Sequence, residues 1–232
     1  MKRVDEVFNR KGINVESVMT SYKKRGLVTK NGRLIVDSRE VLLECLPFIK
    51  VFTGIVVDMV SADSLFENLD CINGLPPIDM MKVKSAVRMF AECKCESIQL
   101  LNTGNVRNAA RMFMNAKVSN ISGLDTSKCE DMSLIFYNTV NYKNPAFYNS
   151  VNALDVSNCK KLNSAFYGSN FRKIALQNTD NVKEAADLYN GCIMLLNFPT
   201  VEFKSLENLK MLGATSDINY PEDMQFVFNG CT

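Results

Sequence analysis

A repeat of about 23 residues runs through most of the chain and restricts its fold more than any other feature. Each unit is marked by an aromatic residue that follows an apolar one. The markers in chain order are Phe66, Phe90, Phe113, Phe136, Phe166, Tyr189 and Phe228. The fourth gap is longer, because seven extra residues lie within 139–150. One period that holds from about residue 55 onward predicts a solenoid, in which each unit packs against its neighbours.

The pattern within one unit predicts a short helix followed by a short strand. The marker and the positions one, four and seven residues before it are apolar, and these offsets share one face of a helix of about two turns. Asp125 and Asp155 are expected to cap such helices, and Asn or Gly is expected at their ends. Strands such as 98–100 would stack into a parallel sheet at about 4.8 Å. We therefore predict an α/β solenoid of about seven strand–turn–short-helix units.

Two segments carry a more specific pattern: LDTSKCEDMSLIFYNT (124–139) and LDVSNCKKLNSAFYGS (154–169). They resemble the BspA-like leucine-rich repeats of bacterial surface proteins and mycoplasma lipoproteins, over about residues 55–232. The resemblance implies a curved, leucine-rich-repeat-like solenoid that makes protein–protein or adhesive contacts without catalysis. No export signal, lipid-attachment cysteine or wall-anchoring tail is recognisable, and by analogy this suggests a phage or mobile-element protein that acts in the cytoplasm or on a virion.

Residues 1–50 differ from the rest, because they carry 11 Lys and Arg against 6 Asp and Glu. A helix is expected to end before Gly26, a hairpin is expected to turn at Asn31-Gly32, and a second helix is expected to run from Ser38 to before Pro47. We predict two domains, a basic α/β cap at 1–50 and the solenoid at 51–232. The alternative for the cap is a winged-helix-like nucleic-acid contact. Its phosphate-binding residues would be Lys23, Lys24, Arg25, Lys30 and Arg33.

The composition excludes several classes of chemistry. The chain has no His, which removes His-based nucleophile systems and His-ligated metals, and its formal charge of +2 favours no anionic partner. No phosphate-binding glycine loop occurs, and no apolar segment is long enough to span a membrane. The cysteines are expected to be reduced, with Cys129 and Cys159 side by side as free thiols one unit apart, at a spacing that also permits a disulfide between them as the alternative. We expect no enzyme activity, cofactor or metal.

The predicted function is recognition of a macromolecule, with a protein as the first expectation, a glycan as the second and nucleic acid as a weaker one. Outward-facing positions on the strands would form a polar contact row. The row consists of Asn73, Gln99, Ser122, Asn152, Gln177 and Asn197. The insertion would add aromatic anchors through Tyr142, Phe147 and Tyr148, because polar rows need such anchors for affinity. Deletion of 140–146 is expected to weaken binding and to leave folding intact.

Overall fold

The chain winds as a parallel β-solenoid, which confirms the predicted repeat architecture. The structure is a computed structural model and describes residues 14–72, 74–140, 153–171, 173–192 and 203–207. Each winding is called a rung below. The strands are β1 (Leu34–Val36), β2 (Ile55–Val57), β3 (Asp70–Cys71), β4 (Ile78–Asp79), β5 (Lys94–Leu101), β6 (Lys117–Ser122), β7 (Leu154–Asp155) and β8 (Leu176–Gln177).

All pairings between these strands are parallel. Strands β1, β2, β4 and β5 follow one another across one six-stranded sheet, in which β3 and β6 also pair with β5. Strands β7 and β8 form a separate two-stranded sheet. Strands of two or three residues are too short to be stable alone, so their pairing from rung to rung supplies the hydrogen bonds that fix them.

The segment around each marker aromatic differs from the prediction, because it consists of tight turns instead of a short helix. Along the turn segments, backbone amides donate alternately to a carbonyl of the same turn and to a carbonyl of the next rung. Met112 N–H donates to Ala109 O at 3.1 Å within its own rung, whereas Phe113 N–H donates to Ile135 O at 2.8 Å on the next. Neighbouring helices need 8–10 Å between their axes. Rungs that stack at about half that distance leave no room for a helix on each.

Two positions in each of the six described turn segments have left-handed backbone, two residues before and two residues after the marker. The residues before the marker are Ser64, Arg88, Arg111, Leu134, Ser164 and Asp187. The residues after it are Asn68, Glu92, Asn115, Asn138, Gly168 and Gly191. The Asn and Gly residues that the sequence analysis places at helix ends therefore serve these turns, which require positive φ.

The marker aromatics within the described residues, all but Phe228, form one continuous column in the core. Phe66, Phe90, Phe113, Phe136, Phe166 and Tyr189 stack in that order, with successive ring centroids 4.9, 5.4, 5.3, 5.7 and 5.7 Å apart. The apolar positions around the markers are buried with them. The inward stripe that the sequence indicates is therefore present, but turns rather than helices present it.

The described N-terminal residues extend the first rungs. Helix α1 (Val15–Lys24) is capped by the Asn14 side chain, and Gly26 follows it with φ 74°. Val28 then bridges antiparallel to Leu34, as the predicted hairpin requires, and β1 pairs parallel with β2. Helix α2 (Arg39–Cys45) begins after Ser38, whose side chain accepts from Val41 N–H, and a 3-10 helix follows at Leu46–Val51. A second 3-10 helix lies at Thr179–Asn181.

Arg39 at the start of α2 closes the edge of the first complete turn segment. Its guanidinium donates to Leu65 O at 2.8 Å, to Glu67 O at 2.7 Å and to Ser64 O. The carbonyls at the same positions on later rungs accept amides from the preceding rung, as Met89 O and Ala91 O do. One arginine of α2 thus replaces two hydrogen bonds that a preceding rung would supply.

Candidate functional site

Three consecutive rungs present a row of side chains, five of them large, on the turn face, and we call this row the tyrosine strip. It consists of Arg111, Met114, Leu134, Tyr137, Ser164 and Tyr167. In each rung the second residue of a pair donates its N–H to the carbonyl of the first: Met114 to Arg111, Tyr137 to Leu134 and Tyr167 to Ser164, at 3.1–3.2 Å. Residues joined in this way end a β-turn and lie within about 7 Å of each other.

The two tyrosines of the strip stack on each other. Their ring centroids are 4.9 Å apart with an interplanar angle of 13°. Both side chains are half-buried, as are Met114 and Leu134, while Arg111 is exposed. Stacking turns one face of each ring toward the other, so the ring edges remain for a partner to contact. Tyr, Met and Arg are the residue types enriched at protein interfaces.

Backbone conformation at the strip is costly for the residues that occupy it. Arg111 has φ 59° and Leu134 has φ 56°, in the left-handed region that favours Gly and Asn. A bulky side chain in this conformation costs about 1–2 kcal/mol. The neighbouring rungs show that Asn or Gly meets the same backbone requirement two residues after the marker, as at Asn115 and Gly168. The position two residues before the marker is left-handed on the other described rungs as well, as at Arg88, so this cost belongs to the turn and not to the strip alone.

Sequence reasoning missed the strip, although the sequence contains a signal for it. The dipeptide Phe-Tyr occurs at 136–137 and again at 166–167, at the same place in consecutive units. Once neighbouring rungs stack in register, the residue after the marker must stack as well. The predicted helix did not imply this stacking, because it would place the residue after the marker on a helix surface and not in a ladder of stacked side chains.

The structure brings together only part of the predicted polar row. Gln99 on β5 and Ser122 on β6 are direct register partners; Gln99 is exposed and Ser122 is half-buried. Gln177 is exposed but lies in the separate sheet of β7 and β8, opposite Asp155. Gln177 is out of register with the other two residues because it lies 12 residues before its marker, whereas Gln99 and Ser122 lie 14 before theirs.

The other predicted contact residues lie outside the described residues. They are Asn73, Asn152, Asn197, Tyr142, Phe147 and Tyr148. Their roles, and the effect of deleting 140–146, stay predictions.

The basic residues predicted for nucleic-acid contact fall into two groups. Arg25 pairs with Glu44 and lies over the Tyr22 ring, and Arg33 Nη2 lies 3.0 Å from Asp79 Oδ2. The pKa of Asp79 is lowered by hydrogen bonds from Asn102 and Arg33 that outweigh its desolvation, the largest single cause. Two of the five cations are thus engaged within the protein. The remaining three, Lys23, Lys24 and Lys30, are exposed.

Asp125 and Asp155 act as capping residues of turns. The Asp125 side chain accepts from Ser127 N–H at 3.0 Å, and the Asp155 side chain accepts from Ser157 N–H at 2.9 Å. Asn178 on the next rung also donates to Asp155 at 3.0 Å. Hydrogen bonds from Asn178 and Ser157 keep the pKa of Asp155 below its ordinary value. Both carboxylates accept a backbone amide, as a capping role requires, but they close turns and do not cap the helices that their spacing predicts.

Cys129 and Cys159 lie in the core on neighbouring rungs, as predicted. Both are fully buried free thiols, and the residues two positions later, Asp131 and Lys161, are bridge partners. Burial raises the pKa of each thiol to about 12. At neutral pH these cysteines are therefore protonated and poorly nucleophilic.

The family model described as "Mycoplasma protein of unknown function, DUF285" matches residues 60–173 and 140–232. Together the two matches cover more than half of the chain. The chain belongs to this family. No curated protein and no solved structure matches the chain significantly.

The match to the DUF285 family begins at the first complete turn segment and includes the whole tyrosine strip. The helices α1 and α2 precede it. Within the described part of this family member, no cluster of three or more Cys, Asp or Glu is arranged to hold a metal ion. None of the helices in the same residues is long and apolar enough to cross a membrane.

Proposed function

We propose that the chain is a non-enzymatic repeat module that recognises a partner protein through the tyrosine strip. The observation that carries this proposal is the ladder of Tyr137 and Tyr167, flanked by Met114, Leu134 and Arg111. Amphipathic rings with a polar tip give large contact area at low entropic cost, which is why Tyr is frequent among residues that dominate binding energy.

Two features favour a protein over the other predicted partners. Met114 and Leu134 beside the two tyrosines add half-buried apolar surface, which suits the side chains of a protein better than the hydroxyl groups of a glycan. A nucleic-acid contact through the N-terminal cations would depend on Lys23, Lys24 and Lys30 alone, because Arg25 and Arg33 are already paired with Glu44 and Asp79. A BspA-like contact role, in the cytoplasm or on a virion of a phage or mobile element, is the finer form of this proposal and rests on the sequence resemblance.

The experiment is affinity purification from the native context with variants of two different surfaces. The strip variant is Tyr137→Ser with Tyr167→Ser, and the matched control is Gln99→Ala with Ser122→Ala in the predicted polar row. The proposal predicts that partner proteins identified by mass spectrometry are lost from the strip variant and retained by the control. Loss from the control alone would assign recognition to the strand row instead and contradict the proposal.

A further inference from the structure

The charge of Arg111 is not matched by the part of the protein that the structure describes. Arg88 occupies the same position one rung earlier and is held by two carboxylates, those of Glu67 and Glu92. Arg111 has no ion pair with any described residue, and its side chain is exposed. Two arginines at equivalent positions thus have opposite environments: the charge of Arg88 is neutralised by carboxylates of the fold, whereas the charge of Arg111 is exposed to solvent.

The surroundings of Arg111 are apolar on the side of the strip. Leu134 follows it on the next rung, and Met114 lies across its own turn. The positions where Arg88 finds its carboxylates, in the preceding rung and four residues later, are Ala91 and Asn115 for Arg111. An exposed guanidinium beside an apolar surface is complementary to an anion followed by an apolar side chain.

Resting on the proposed function, we infer that the partner docks with a segment that places an Asp or Glu carboxylate on Arg111 and an apolar or aromatic side chain against Met114, Leu134 and Tyr137. The carboxylate accepts two N–H bonds from the guanidinium, a geometry that Arg offers and Lys does not. The tyrosine edges extend this contact along the next two rungs. Arg111 presents this fork at the edge of the tyrosine strip.

The test uses a displayed library of random peptides as the probe, selected on the intact chain. We expect selected peptides to share an Asp or Glu near an aromatic or aliphatic residue, and to bind Arg111→Ala and Arg111→Lys at least about tenfold more weakly, the effect of losing one charge-assisted hydrogen bond. Arg111→Glu should select peptides with Lys or Arg at the same place. Arg107→Ala, another exposed arginine away from the strip, is the matched control and should bind as the wild type does.

The outcomes separate this inference from the proposed function. Peptides that require Tyr137 and Tyr167 but show no acidic preference would overturn the inference and leave the strip as the recognition surface. Peptides that bind the Tyr137→Ser, Tyr167→Ser variant equally well would contradict both. Sedimentation measures whether the wild type self-associates. Self-association that Arg111→Glu abolishes would mean that a second copy of the chain occupies the strip, and it would overturn the inference of an acidic partner segment. Thermal unfolding of each variant confirms that it is folded before binding is compared.

Discussion

At the residue scale, single side chains complete hydrogen bonds that the stacking of rungs leaves open. Thr139 Oγ1 donates to Phe113 O at 2.7 Å on the preceding rung, and Cys192 Sγ lies 2.8 Å from Phe166 O. Both residues follow their marker by three positions, where the sequence shows only that a small side chain is preferred. Phe113 O and Phe166 O also accept an amide within their own turns, so these two side chains supply a second donor. Arg39 supplies the donor for Leu65 O and Glu67 O in the first complete turn segment. Buried carbonyls without partners are costly, so Arg39 is fixed by the backbone around it.

Replacement of Arg39 by alanine should destabilise the protein by about 2 kcal/mol, because the carbonyls of Leu65 and Glu67 lose their donors. Lysine should not restore the loss, since one ammonium cannot reproduce the planar fork. Urea unfolding measures the effect. The control is Arg25→Ala, whose exposed pairing with Glu44 is expected to matter little. Equal stability of Arg39→Ala and wild type would show that the edge needs no such cap.

Replacement of Leu134 by asparagine should raise the free energy of unfolding by about 1 kcal/mol, because Asn tolerates the φ of 56° that Leu adopts at a cost. The reverse change, Asn115→Leu, should lower it by a similar amount at a left-handed position on the preceding rung. Thermal unfolding of the two variants measures both signs. A destabilised Leu134→Asn would mean that side-chain packing, not backbone strain, dominates at this position.

At the element scale, each rung consists of turns and of strands of two to eight residues. The rungs stack on one another, and the aromatic column lies inside the stack. Phe90, Phe113 and Phe136 are nearly parallel, with interplanar angles of 5° between successive rings. Offset aromatic pairs add about 0.5–1.5 kcal/mol to the free energy gained from burial. A ring in the middle of the column contacts two others, so its removal affects both neighbouring rungs.

Phe113→Ala should cost about 3–5 kcal/mol of stability, because it leaves a cavity between two stacked rings. Met114→Ala, one residue later on the strip, should cost much less because that side chain is half-buried. Denaturant unfolding of the two variants gives the comparison. Similar losses for both would show that the column is not the main source of cohesion between rungs.

The sequence predicts the period, the inward positions and the N-terminal elements, but it does not predict the turn segment. Apolar residues at offsets of four and seven suit one face of a helix, and they also suit two consecutive turns. What decides between them is the spacing of the neighbouring rungs, a tertiary property that no single unit reveals. Gly123 shows the same limit: a Cβ there would lie 1.9 Å from Leu100 O, a contact that only the stacked rungs create. The tyrosine strip depends on this stacking and was therefore hidden too.

At the scale of the whole molecule, the core is a shared interior that holds many thiols in their protonated form. Burial raises the pKa of Cys71, Cys129 and Cys159 to about 12, and of Cys95 and Cys192 to about 11. These cysteines come from five different rungs, so their titration reports on the solenoid as a unit.

Stability should be independent of thiol titration below about pH 9 and should fall between about pH 9 and pH 12. In this window the unfolded chain loses thiol protons while the folded chain keeps them, so unfolding is favoured as the pH rises. Urea unfolding at pH 8, 9, 10 and 11 measures the slope. Cys129→Ala with Cys159→Ala should show a shallower fall than the wild type, whereas an identical slope would mean that these thiols are not buried as described.

The stacking of rungs at strand spacing is the central claim, and electron–electron distances between spin labels test it most directly. One exposed ladder contains a residue from each of seven successive rungs, and the amide of each residue after the first donates to the carbonyl of the ladder residue on the preceding rung. These residues are Val60, Lys84, Arg107, Glu130, Lys160, Lys183 and Glu207. Each doubly labelled variant has one cysteine in place of Val60 and a second in place of Lys160, Lys183 or Glu207, which lie four, five and six rungs away. Wild type treated with the same label controls for reaction of the native thiols. We predict distances that rise by about 4.8 Å per rung, near 19, 24 and 29 Å. Distances that do not rise with the number of rungs, or that rise by the 8–10 Å that stacked helices require, would contradict the solenoid described here.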